Sequence, residues 1–99
     1  MNVNIQTVHF AADRRLIEHI ERKLAKIRGF FERITSVDVF LKLDNPAHHI
    51  KDKVAEIRIH APQHNFFVKQ VSKSFEESFD TAYESVMTQI KRHKERRIA

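Results

Sequence analysis

Ninety-nine residues without a cysteine point to one domain and exclude disulfides, thiolate metal sites and cysteine nucleophiles. Eighteen lysines and arginines against thirteen acids give a formal charge of +5, and no apolar run approaches the roughly 20 residues of a membrane-spanning helix. The N-terminus, Met1-Asn2-Val3-Asn4-Ile5, has neither the basic region nor the apolar core of an export signal, so a cytoplasmic protein with no membrane partner is expected.

Residues 3–8 read as a first strand with Val3 and Ile5 on one face. Residues 9–13 turn into a helix for which Asp13 is the expected N-cap, its carboxylate accepting from free backbone N–H groups. Leu16, Ile20, Leu24, Ile27 and Phe31 then recur at steps of four, four, three and four, and Ile17 widens that stripe; this is an amphipathic helix. Gly29, the only glycine, stands where a C-cap would help the helix stop. From 36 to 43 the period becomes two. Val37, Val39, Leu41 and Leu43 face one way, and Ser36, Asp38, Phe40 and Lys42 the other, the pattern of a half-buried strand.

A polar loop, 44–53, is broken by Asn45-Pro46. The third strand is expected at 54–61, with Ala55, Ile57 and Ile59 opposed by Glu56, Arg58 and His60. A turn at 62–65 leads to a fourth strand at 66–71. Ser74 and Glu77 have capping-box spacing. Phe75, Phe79, Ala82, Tyr83, Val86 and Ile90 form the second helical stripe. The reading is an α+β fold, β-α-β-β-β-α: a four-stranded mixed sheet with two helices packed on one face. The first helix carries the chain between two parallel strands, and the other sheet face is left open.

No catalytic constellation emerges. One glycine cannot build a phosphate-cradling loop, and the serines, histidines and acids follow no nucleophile-elbow motif. Glu76, Glu77 and Asp80 are better read as caps and dipole partners at a helix start. Seven histidines invite a metal, with His48-His49 the most tempting pair. Adjacent residues share no fixed face and no ligand-set spacing is present, so a polar loop is the better reading. No cofactor and no small-molecule substrate are expected. Phe40 alone among the phenylalanines is singled out on a polar strand face, where it either stacks on a partner or is an ordinary exposed aromatic.

The basic residues carry the remaining signal. Within 88–99, Lys91, Arg92, Lys94, Arg96 and Arg97 stand against Glu95 alone, a local excess of four positive charges. Such an end points to a polyanion; the competing reading is helix-dipole complementation and solubility. On the first helix Arg15, Arg22 and Lys26 form a line with Lys23 beside it. If the helices lie side by side, the two sets form one groove-like surface. Contacts of this kind position a protein on phosphates without reading sequence, so the expected target is an RNA shape.

Several segments resemble one family in order and spacing. These are Asn4-Ile5, Arg22-Lys23-Leu24-Ala25-Lys26-Ile27, Phe31-Glu32-Arg33-Ile34, Val37-Asp38-Val39-Phe40-Leu41-Lys42, Phe75-Glu76-Glu77 with Asp80, and Gln89-Ile90-Lys91-Arg92-His93-Lys94. Over essentially the whole chain the sequence resembles the ribosome hibernation promoting factor family, also known as ribosome-associated inhibitor A or sigma-54 modulation proteins. The resemblance implies a β-α-β-β-β-α domain that binds the small ribosomal subunit in the channel for messenger and transfer RNA. It implies silencing of translation in stationary phase or starvation, with whole ribosomes and ribosomal RNA as partners. It further implies a short form of the family, a single ribosome-binding domain over 1–99. Arg22, Lys23, Lys26, Lys91, Arg92, Lys94, Arg96 and Arg97 are then the RNA-binding residues. Many members carry an Asp-Met-Tyr-like segment near the start of the last helix; here that region reads Ser74-Phe75-Glu76-Glu77-Ser78-Phe79. The alternative of another class is a general double-stranded-RNA-binding or protein-interaction module.

Overall fold

A computed structural model describes residues 1–44 and 52–98, with side chains up to Arg96. The elements run β1 (Asn2–Val8), α1 (Arg14–Phe30), β2 (Ser36–Asp44), β3 (Asp52–Ala61), β4 (His64–Ser72) and α2 (Phe75–Ile98). The sheet order is β1-β2-β3-β4. β1 lies parallel to β2, with Val3 opposite Val37 and Ile5 opposite Val39. The β2–β3 and β3–β4 pairs are antiparallel. This is the expected β-α-β-β-β-α mixed sheet.

Period two places Val37, Val39, Leu41, Ala55, Ile57, Ile59, Phe66 and Val68 on one face. All are buried in one cluster with Ile20, Leu24 and Ile27 of α1 and Phe79, Ala82, Val86 and Ile90 of α2. Both helices therefore cover the same face. Each fully buried aliphatic side chain contributes about 1.5–3 kcal/mol. A buried hydroxyl fastens the start of α2 to this core. Ser78, fully buried, has its Oγ within hydrogen-bond distance of the backbone carbonyls of Lys53 and Ser74 and of Ser72 Oγ.

The helix starts follow their caps. The Asp13 carboxylate accepts from the Leu16 N–H at 2.8 Å, and Ser74 Oγ accepts from the Glu77 N–H at 3.1 Å. The end of α1 departs from expectation. Gly29 lies inside the helix, and no glycine has positive φ. The chain leaves α1 at Phe31, which is extended at φ −142 while its N–H still bonds the Ile27 carbonyl. That exit needs no left-handed residue, so no glycine is required.

The β3–β4 connection is tighter than the sequence indicates. Ala61 pairs directly with His64, leaving only Pro62-Gln63 in the turn. Proline presets the first position, and Gln63 takes the second with φ 67. β4 consequently starts at His64, two residues earlier than expected, and β3 starts at Asp52, within the segment read as loop. His48-His49 lie outside the described residues.

Candidate nucleic-acid interface

The two helices run side by side in the same direction, because their contacts advance together along both. His19 Nε2 lies 2.6 Å from Asp80 Oδ1, and Lys23 Nζ lies 3.0 Å from the same oxygen. Lys23 also stands 5.3 Å from the Tyr83 ring centre. At the far end Lys94 donates to the Phe30 carbonyl at 2.8 Å and sits 4.4 Å from the Phe30 ring centre. Partial burial pushes the Asp80 carboxyl up, but hydrogen bonds from His19 and Lys23 and their charges outweigh it and hold the group below the usual carboxylate range. Burial raises Tyr83, and the Lys23 charge offsets part of that rise.

These contacts divide the basic residues. Lys23 and Lys94 are half-buried ties between the helices, held by groups of this chain. Arg22 and Lys26 on α1 and Lys91, Arg92 and Arg96 on α2 are exposed. Among the described residues none of these five has an ion-pair partner. The five do not form one patch. Lys91 lies toward α1, 5.8 Å from the Phe30 ring centre. Arg92 and Arg96 lie on the opposite flank of α2 and line a cleft with His64, Phe66, Gln89 and His93. Arg97 belongs to α2, but its side chain is outside the described set.

The charge on α2 is polarised along its length. Glu76, Glu77, Asp80 and Glu84 surround a hollow at the N-terminal half, while Lys91, Arg92 and Arg96 stand beyond Ile90. Glu76 and Arg96 are about 30 Å apart along a helix rising 1.5 Å per residue. A dipolar domain of this kind meets a polyanion with its basic end forward.

Three features were not legible as sites. His19, Glu76 and Asp80 bring ligand atoms within 4.8 Å of one another, but the Lys23 ammonium already meets the Asp80 oxygen such an ion would share. On the open sheet face Arg58 lies 5.2 Å from the Phe40 ring centre and 5.3 Å from that of Phe67. Phe40 is thus half-buried against an arginine of its own sheet. Phe67, 49% exposed, follows from the same strand alternation and was the one aromatic that period two could have added. The third is an aromatic cluster at the end of α2. His64 and His93 are stacked with ring centres 4.3 Å apart, and Phe66 and Phe31 meet His93 edge-on at 5.6 and 6.2 Å.

Residues 3–98, nearly all of the chain, match one family, described as sigma 54 modulation protein / S30EA ribosomal protein. The chain belongs to that family. Among its relatives is a protein of Pseudomonas putida named ribosome hibernation promoting factor. It is 26% identical over 96 residues, which span 97% of this chain and 89% of the relative. The fold matches a solved ribosomal subunit interface protein from Coxiella burnetii with a TM-score of 0.83 at 16% identity, covering 95% of this chain and 98% of that one. It also matches the N-terminal domain of Thermus thermophilus Protein Y, with a TM-score of 0.78 at 22% identity, covering 94% and 99%. At these identities the structural likeness shows the fold. No helix among the described residues of this sigma 54 modulation / S30EA family member is long and apolar enough to cross a membrane.

Proposed function

We propose that this chain is a ribosome hibernation factor. It binds the small ribosomal subunit in the messenger and transfer RNA channel and silences translation under starvation or in stationary phase. The observation that carries this reading is family membership over residues 3–98; the polarised charge of α2 supports it. Inhibition is by occlusion: the protein fills a space that RNA needs, and the RNA stays chemically intact. The contacts fall to the exposed cations Arg22, Lys26, Lys91, Arg92 and Arg96, with Arg97 following them along α2. Lys23 and Lys94 act by holding the helices that carry them.

Co-sedimentation tests the reading. The protein travels with small subunits and with whole ribosomes, and binds free RNA duplexes weakly. Tight duplex binding without ribosome association would instead identify a general double-stranded-RNA module. In a purified translation system, inhibition follows ribosome occupancy; complete inactivation at far below one protein per ribosome would contradict occlusion. Each phosphate contact adds roughly 0.7–0.9 to the log–log salt dependence of binding simple nucleic acids. Replacing Lys91, Arg92 and Arg96 with glutamine therefore flattens the slope by roughly 2–3 units if all three meet phosphate.

A further inference from the structure

The cleft between the start of β4 and the C-terminal half of α2 brings together groups that phosphate positioning alone does not need. A graded aromatic stack lines it. His93, half-buried, is fixed by Phe31, Phe66 and His64, and His64 is stacked on it as the exposed outer plate. Phe66 also meets His64, with ring centres 4.4 Å apart. Arg92 and Arg96, one helical turn apart on the same flank and exposed, line the same cleft. Gln89 lines the same space and donates its Nε2 to the Phe67 carbonyl at 3.4 Å. The cleft holds ≈ 240 Å³, below the roughly 300–1,000 Å³ of pockets for drug-sized ligands. That size suits one ring system. A flat π-surface beside two guanidiniums and a side-chain amide matches a base and its phosphate.

We propose that this cleft takes one unpaired nucleotide of an RNA strand, its base stacked against the His64–His93 pair and its phosphate held between Arg92 and Arg96. The proposal rests on the RNA-binding reading above and specifies a site within it. It separates the two flanks of α2. The Lys91 side, toward Phe30 of α1, meets backbone only, whereas the β4 side distinguishes a base from a bare phosphate.

The test titrates the labelled full chain with the single-stranded RNA hexamer rA6. In parallel it uses an abasic ribose-phosphate strand of equal length and charge, and adenosine 5′-monophosphate. Expected are ring-proton shifts at His64 and His93 with rA6, and binding of the abasic strand weakened at least about fivefold, the low end of stacking on an aromatic ring. His64→Ala lowers rA6 affinity by a similar factor while leaving the abasic strand unaffected. Arg96→Gln, at an exposed helix position, weakens both strands. Equal affinity for rA6 and the abasic strand overturns the proposal. So does wild-type rA6 binding by His64→Ala, or adenosine monophosphate binding as tightly as rA6, which makes the occupant a free nucleotide. Small-subunit co-sedimentation of the wild type keeps the two levels apart. Association with subunits but no base dependence defeats the cleft alone; base-dependent rA6 binding without subunit association defeats the ribosome reading alone.

Discussion

Lys94→Met tests whether the basic end of α2 is divided between structural and free cations. Lys94 Nζ lies 2.8 Å from the carbonyl of Phe30, the last residue of α1. That carbonyl is one of the four at a helix end without an intrahelical donor, at the negative end of the helix dipole. A hydrogen bond to a charged group contributes about 1.5–3 kcal/mol where water is excluded, and a lysine over an exposed ring about 0.5–1 kcal/mol. Lys94 is only half-buried, so water replaces part of both, and a loss of about 1–2 kcal/mol is expected on this scale. Methionine keeps the stem and removes the ammonium, which isolates that part. For a domain of this size 1 kcal/mol moves the melting temperature by about 4–8 °C, so Lys94→Met should melt about 4–16 °C lower. Arg92→Gln, at an exposed cation, should stay within about 0.5 kcal/mol of wild type. Thermal unfolding followed by circular dichroism measures both. Amide exchange should also quicken over 91–96 in Lys94→Met, since these residues lie past Ile90, the last fully buried position of α2. Equal melting of Lys94→Met and Arg92→Gln would refute the division into tied and free cations.

Ile57→Ala and Leu24→Ala remove side chains that are 0% and 1% exposed; each should cost about 2–5 kcal/mol in urea unfolding, and an unchanged midpoint would mean the residue is not in the core. The Asp80 carboxyl is held below its ordinary value in the fold, so its ties stabilise above the unfolded pKa of about 3.9 and are lost as pH falls through the folded value. The stability gap between wild type and Asp80→Asn should therefore be widest near neutral pH and close below about pH 4; a gap constant down to acid would show that the carboxylate charge is not what matters. Gly29 lies in the helix with open space where a Cβ would stand. Gly29→Ala should accordingly raise stability by about 0.5–1 kcal/mol, and a lower melting temperature would contradict the helical placement.

What the sequence by itself determined was everything that repeats locally. The step of three and four from Leu16 to Phe31, and again from Phe75 to Ile90, fixed both helices and the faces they bury. The alternation in 36–43 and 54–61 fixed the inner face of the sheet, because side chains on a strand leave by turns to opposite sides. Asp13 and Ser74 were readable as caps because a cap bonds only two or three residues ahead. Family likeness was legible for the same reason, as an order of short segments. The tertiary structure decided what depends on groups far apart in the chain. Lys23 and Lys94 look like Arg22 and Arg92 in sequence; only their neighbours Asp80 and Phe30, 57 and 64 positions away, make them ties. Gly29 lies inside the helix and not at its cap, because a helix end depends on where the chain goes next. His64 and His93 gave no signal of a joint site: one begins a strand, the other sits near the end of a helix. The two-residue turn at Pro62-Gln63 and the packing of α2 over β4 bring their rings together, and a period along the chain carries no information about a meeting between two elements.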